Sequence, residues 1–75
     1  MQPEALLARV FGVAPHAIMD TTSNKTLPQW DSLAHMTLIV ELEAAYGVSF
    51  SAEEALAMTD VTTIKRLLGS RGVTW

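Results

Sequence analysis

Apolar residues recur at helical spacing in several stretches of the chain, and segments rich in turn-forming residues separate these stretches. The apolar positions of the first stretch are Leu6, Leu7, Val10 and Phe11. Pro3 precedes them at a position that a first helical turn tolerates, and Gly12 follows them where a helix can end. The pattern therefore predicts a first helix at about residues 3–12.

A longer apolar pattern starts after Asp31 and runs without a helix breaker to Tyr46, where Gly47 stops it. Asp31 can accept a hydrogen bond from a backbone N–H group of the first turn. We therefore predict a second helix at 32–46. On a helical wheel its buried face consists of Leu38, Ile39, Leu42, Ala45 and Tyr46, with His35 on the same side.

The second helix carries an additional apolar stripe that points away from this face. The stripe consists of Leu33, Met36 and Val40, and Glu41 and Glu43 lie at its edges. Because a bundle of this size cannot cover both faces of one helix, we expect the stripe to be a docking surface for a partner. The alternative is that an oligomer partner or the long loop before the helix covers it.

The rest of the chain predicts two more helices and one long loop. Residues 13–28 are rich in turn formers and form the loop. Ser51 and Glu54 fit a capping box, which predicts a short helix at 52–57. Thr59 or Asp60 caps a last helix that ends at Gly69, and residues 70–75 form a flexible tail. Residues 48–50 are the only strand candidate.

These elements predict one all-α domain over residues 1–75, a small four-helix bundle of three main helices and one short helix. The chain has 75 residues, of which 49% are hydrophobic, and this composition excludes a disordered tail. With no cysteine and two histidines, the sequence excludes a disulfide framework and a thiolate metal site. It has no stretch as long as a membrane span and no signal peptide, so we expect a cytoplasmic monomer.

The net charge of −3 argues against a nucleic-acid partner, because such proteins need a basic face. Between residues 26 and 64 there is no Lys or Arg. The acidic residues of this stretch are Asp31, Glu41, Glu43, Glu53, Glu54 and Asp60. A basic partner surface would complement such an acidic zone.

Ser32 is the residue with the most distinctive position, because it begins the second helix at the top of the apolar stripe. Free backbone N–H groups and the helix dipole favour an anion such as a phosphate ester there. The sequence offers no activating base, since the nearest histidine, His35, is expected on the opposite side of the helix start. We therefore expect Ser32 to be modified by another enzyme, and we do not expect this chain to be a serine hydrolase or any other enzyme.

The motif Trp30-Asp31-Ser32-Leu33, the run from Leu42 to Phe50 and the closing Thr59-Asp60-Val61 resemble the acyl carrier proteins, which are phosphopantetheine-binding carriers. The resemblance covers essentially the whole chain. It implies that Ser32 is joined through a phosphodiester to 4′-phosphopantetheine, which a magnesium-dependent phosphopantetheinyl transferase takes from coenzyme A. The thiol of this arm would hold acyl groups as thioesters and present them to acyl-loading and acyl-processing enzymes.

The same resemblance implies which residues bind the partner enzymes. These are Asp31, Leu33, Met36, Val40 and Glu43. The chain departs from fatty-acid carriers at Gln29-Trp30 before the motif and at Ala34 after it, and it is similar to small carriers that serve dedicated biosynthetic enzymes. An aminoacyl or peptidyl carrier and an unmodified helical interaction module are the alternatives. We expect Trp30 to be a packing residue.

Overall fold

Four α-helices succeed one another along the chain, in a computed structural model that covers residues 1–75. They are α1 (Pro3–Phe11), α2 (Ser32–Tyr46), α3 (Ala52–Ala57) and α4 (Val61–Ser70). A single 3-10 turn, Pro15–Ala17, interrupts the long loop between α1 and α2. The predicted small all-α bundle is confirmed. The strand candidate at residues 48–50 is wrong, because this segment pairs with no other strand and serves as an extended connection between α2 and α3.

Local capping chemistry sets the helix boundaries that the sequence predicts. Gly12 and Gly47 end α1 and α2 in left-handed backbone conformations, with φ of 69° and 64°, which glycine adopts without strain. The carboxylate of Asp31 accepts a hydrogen bond from the Ala34 N–H at 2.8 Å and so caps α2. Of the two candidate caps of α4, Asp60 is the one used, and it accepts from the Thr63 N–H.

The core lies between α1, α2 and α4 and is closed by residues from the connecting segments. The buried hydrophobic residues are Leu6, Leu7, Ala8, Phe11, Ile18, Trp30, Leu38, Leu42, Met58, Val61, Ile64, Leu67 and Leu68. Each fully buried leucine contributes about 1.5–3 kcal/mol relative to an exposed one. Ala45 is exposed although the helical wheel places it on the buried face. It lies in the last turn of α2, two residues before Gly47 ends the helix.

The long loop is ordered by contacts with the start of α4. Ile18 is buried in the core. Thr22 is also buried, and its carbonyl accepts a hydrogen bond from the Val61 N–H at 3.0 Å. The Asn24 N–H donates to the Thr59 carbonyl at 3.0 Å, next to an isolated antiparallel bridge between Ser23 and Asp60. The loop is therefore attached along its middle to the segment between α3 and α4.

An ion cluster joins α1, the loop and α4. The Lys65 ammonium lies 2.6 Å from a carboxylate oxygen of Glu4 and 2.7 Å from one of Asp20. The hydrogen bond from Lys65 lowers the pKa of Glu4, and the bonds to Asp20 and Glu4 raise the pKa of Lys65. Because the three groups come from three distant parts of the sequence, the cluster fixes α4 against both the loop and α1.

The C-terminal segment is held more firmly than the sequence indicates. The sequence predicts that the last helix ends at Gly69 and that residues 70–75 form a flexible tail, whereas α4 continues through Ser70. Arg71 donates to the Ser49 carbonyl at 2.9 Å and to the carboxylate of Glu54, and its guanidinium lies 4.7 Å from the centre of the Phe50 ring. These long-range contacts, which the helical pattern does not indicate, anchor the segment before α3 to the end of α4.

Candidate functional site

The start of α2 borders a cavity of about 460 Å³. The loop before α2, the first turns of α2, the end of α3 and the α3–α4 connection form its walls. Its lining residues are Asn24, Trp30, Asp31, Ser32, His35, Met36, Leu56 and Thr59. Polar side chains therefore gather around Ser32, although they come from three segments that are separated in the sequence.

A second cavity of about 410 Å³ continues from the first one between α2 and α3. Its lining residues are His35, Met36, Ile39, Ala52, Ala55 and Leu56, of which only His35 is polar. His35, Met36 and Leu56 border both cavities. Together the cavities form one groove, here called the α2–α3 groove, which has a polar end at Ser32 and an apolar end beside Ile39.

Ser32 lies on the surface, and its hydroxyl makes no hydrogen bond within the chain. Asp31 accepts the hydrogen bonds of two backbone N–H groups in the first turns of α2. The Asp31 side chain accepts from the Ala34 N–H, and the Asp31 carbonyl accepts from the His35 N–H at 2.8 Å. The Ser32 hydroxyl is therefore accessible to another protein and is not held in place by a neighbouring side chain.

His35 borders the same cavity as Ser32, so the prediction that the two residues lie on opposite sides of the helix start is wrong. Residues three apart in an α-helix are neighbours on one face, which explains the proximity. The Trp30 indole donates to His35 Nδ1 at 3.0 Å. Since an indole nitrogen is only a donor, Nδ1 must be an acceptor, and Nε2 then donates to the Ala55 carbonyl at 2.7 Å.

Both ring nitrogens of His35 are thus used within the fold, and neither is free to take a proton from Ser32. The prediction that Trp30 is a packing residue is confirmed, because it is buried and its ring centre lies 4.8 Å from that of Phe11. Together, Trp30 and His35 link the loop before α2 to α3 across the base of the cavity. Their role is to hold the walls of the site.

The apolar stripe of α2 is exposed, as the sequence predicts. The exposed fractions are 75% for Leu33, 67% for Met36 and 64% for Val40. The loop before α2 does not cover them, and Ser32 lies at one end of the row. Leu56 of α3, which the sequence pattern does not mark, is 77% exposed and lines the groove together with Met36. With only six residues, α3 is too short for its apolar pattern to show which of its side chains face α2.

Most carboxylates of the predicted acidic zone have partners inside the chain. Glu43 accepts from the Phe50 N–H at 2.9 Å, and Glu41 pairs with Arg9 at 3.1 Å. Glu54 binds Arg71 and completes the capping box with Ser51. The hydrogen bond from Arg71 lowers the pKa of Glu54 to about 2. Several charges that could face a basic partner therefore also hold the segments around α2 and α3 together.

Two further findings concern the whole chain. None of its helices has both the length and the apolar character needed to cross a membrane. No three side chains of the kinds that usually ligate metals come together as a possible metal site.

No protein-family profile matches the chain, and no curated protein sequence matches it at a significant level.

Proposed function

We propose that this chain is an acyl carrier protein and that Ser32 is the attachment site of its 4′-phosphopantetheine arm. The observation that carries the proposal is the position of Ser32, whose hydroxyl is exposed and unbonded at the start of a 15-residue helix and at the mouth of the α2–α3 groove. The sequence resemblance gives the identity of the arm. The resulting protein is a covalent shuttle and not an enzyme.

The attachment is assigned to a second enzyme, because both ring nitrogens of His35 are bonded within the fold and the Asp31 carboxylate caps α2. In the transfer, the Ser32 oxygen bonds to the phosphorus of coenzyme A that carries the pantetheine. The phosphoanhydride bond breaks, adenosine 3′,5′-bisphosphate leaves, and the serine proton passes to a base of the magnesium-dependent phosphopantetheinyl transferase. Once bound, the arm supplies a thiol that holds acyl groups as thioesters.

The residues around Ser32 fit a covalently attached group better than a reversibly bound phosphate ligand. No Lys or Arg borders the cavity, and Asp31 places a carboxylate there. A pocket for a free phosphate would normally supply a cation. A phosphodiester on Ser32 would face solvent at the helix start, where the N–H groups of α2 that have no helical partner favour an anion.

The exposed stripe of α2 supplies a surface for the partner enzymes. Leu33, Met36 and Val40 form an apolar row that begins next to Ser32, so an enzyme that binds this row also meets the end of the arm. Glu43 lies on α2 and Asp31 is the N-cap residue of α2. Both carboxylates would attract basic residues of the partner. We expect these partners to be the transferase and acyl-loading and acyl-processing enzymes of a dedicated biosynthetic pathway in the cytoplasm.

The test of this proposal is the intact mass of the purified protein after incubation with coenzyme A, magnesium and a broad-specificity phosphopantetheinyl transferase. The proposal expects one phosphopantetheine on the parent chain and none on Ser32→Ala. Ser49→Ala is the matched control, because Ser49 is also exposed, and it should be loaded like the parent. A folded parent chain that gains no mass would contradict the proposal.

A second candidate function is an unmodified helical module that binds a partner through the α2 stripe alone. The exposure of three adjacent large apolar side chains favours it. In that case Ser32→Ala would leave partner binding unchanged. An aminoacyl or peptidyl carrier would give the same mass result as an acyl carrier and would differ in the groups that the loaded arm accepts.

A further inference from the structure

Methionines are the only sulfur-containing residues of the chain, which has no cysteine. Their environments differ sharply. Met58 is fully buried in the core, whereas Met36 is 67% exposed on α2. A hydroperoxide in solution can therefore reach the thioether of Met36 but not that of Met58. Any reversible oxidation of sulfur in this chain must take place on an exposed methionine.

Met36 differs from the other exposed methionines in where it lies. It is the middle residue of the exposed stripe, between Leu33 and Val40, and it borders both cavities of the α2–α3 groove. Met1 begins the chain, and Met19 lies in the loop before α2. Neither of them borders a cavity. Among the methionines that solvent reaches, Met36 alone lies on the surface proposed for the partner enzymes.

A hydroperoxide would change the chemical character of the stripe at this position. The Met36 sulfur attacks one peroxide oxygen, an S–O bond forms, and the O–O bond breaks. The sulfur loses two electrons, and hydrogen peroxide is reduced to water. The product is methionine sulfoxide, which is polar where the thioether is apolar. An apolar row with a sulfoxide at its centre would bind an apolar partner surface less tightly, because the sulfoxide must lose its water on binding.

The first cavity of the groove offers hydrogen-bond donors to such a sulfoxide. Asn24 and Thr59 border this cavity together with Met36. Neither the Asn24 amide nor the Thr59 hydroxyl makes a hydrogen bond within the chain. A sulfoxide oxygen accepts hydrogen bonds, so these donors favour a side chain that turns from the stripe towards the polar end of the groove. The oxidised residue would then leave a gap in the apolar row.

We propose that Met36 is a site of reversible oxidation by hydroperoxides, and that its sulfoxide weakens the binding of the transferase to the α2 stripe. This inference rests on the proposed carrier function. It makes the modification of Ser32 dependent on the oxidation state of a side chain one helical turn away.

The test begins with hydrogen peroxide treatment of the unloaded chain, followed by removal of the peroxide with catalase and gel filtration. Peptide mass spectrometry should find the sulfoxide on Met36 and none on Met58, and circular dichroism should show an unchanged fold. We expect kcat/KM of phosphopantetheine transfer to fall about five-fold, mainly through a higher KM, because binding is weakened and the Ser32 hydroxyl is intact. Methionine sulfoxide reductases with a dithiol should restore the parent value.

Two variants identify the methionine responsible, each compared with its own untreated sample. Met36→Leu keeps an apolar side chain that peroxide does not oxidise, so treatment should leave its kcat/KM unchanged. Met19→Leu removes another exposed methionine, and its kcat/KM should fall on treatment as in the parent. An equal fall in treated Met36→Leu, or a treated parent that carries the sulfoxide on Met36 and is loaded as before, would overturn the inference while the carrier function stands. An untreated parent that takes no arm would overturn the carrier function itself.

Discussion

Helices α2 and α4 differ in how much of their apolar surface the fold uses. Helix α4 has four large apolar residues among ten, and all four are buried: Val61, Ile64, Leu67 and Leu68. Helix α2 has seven large apolar residues among fifteen, yet only Leu38 and Leu42 are buried. Folding therefore explains the sequence of α4 but leaves Leu33, Met36 and Val40 of α2 without a structural reason.

The short helix α3 shows a third arrangement, which explains how the groove is kept. None of its six residues is buried. Polar contacts hold it in place, from the His35 ring to the Ala55 carbonyl and from Arg71 to Glu54. The surface between α2 and α3 is thus formed by a helix with more apolar residues than the core buries and by a helix that has no residue in the core.

The largest expected effect is in α4. Leu68→Ala should lower the free energy of unfolding by about 2–5 kcal/mol, because a fully buried leucine leaves a cavity. This is a large part of a total that is about 4–11 kcal/mol for a chain of this length. The matched change Leu33→Ala on the stripe should cost less than about 0.5 kcal/mol. Chemical denaturation followed by circular dichroism measures both, and equal costs would show that the stripe is part of the core.

A smaller effect is expected at the buried side of α2. His35→Ala leaves the buried Trp30 indole N–H without its acceptor and frees the Ala55 carbonyl, so it should cost about 1–3 kcal/mol. His16→Ala, at an exposed position of the 3-10 turn, is the control and should have little effect. Denaturation curves of the two variants that coincide would mean that the Trp30–His35 contact does not support the groove.

The polar attachment of α3 predicts a pH dependence. The pKa of Glu54 is lowered to about 2 in the folded chain, from an ordinary value of 4.5. Its contribution to stability is therefore complete above about pH 4.5 and is lost as the pH falls towards 2. Glu54→Gln should flatten the decline of the denaturation midpoint over this interval, leaving the part due to Glu4, whose pKa is also lowered. An unchanged acid decline in the variant would contradict the role of Arg71 at this site.

The smallest effect on stability is expected on the stripe, where the effect on function should be clear. Met36→Glu and Val40→Glu should unfold at nearly the same denaturant concentration as the parent, since both side chains are mainly in solvent. Their rate of modification by the transferase should fall about ten-fold, because a charge replaces an apolar contact. Gln2→Glu adds the same charge at a remote exposed position and should keep the parent rate. Loss of the helical signal in either stripe variant would place these residues in the core.

The helix boundaries could be predicted from the sequence because the signals that set them are local. Asp31, Gly47 and Ser51 act on backbone groups within a few residues of themselves, and the structure uses all three as expected. The exposure of the α2 stripe could also be predicted from the sequence of α2 alone, because the stripe and the buried face point in different directions on the helical wheel.

The groove could not be predicted, because its walls meet only in three dimensions. Asn24 and Thr59 are 35 positions apart, and neither belongs to a motif that marks the cavity. Likewise, the pairs Lys65–Glu4 and Arg71–Glu54 depend on how the helices pack. The wrong prediction for His35 is different, because the sequence was sufficient there. His35 is three residues after Ser32, and this spacing already places both residues on one face of the helix.

The central claim is that Ser32, at the end of the unburied stripe, is the residue that carries the arm. The most direct measurement is fragmentation mass spectrometry of the loaded protein, which locates the added group among the serines at positions 23, 32, 49, 51 and 70. The account predicts a single phosphopantetheine on Ser32, at full occupancy and on no other residue. A group on another serine, or a folded chain that stays unmodified with an active transferase, would contradict it.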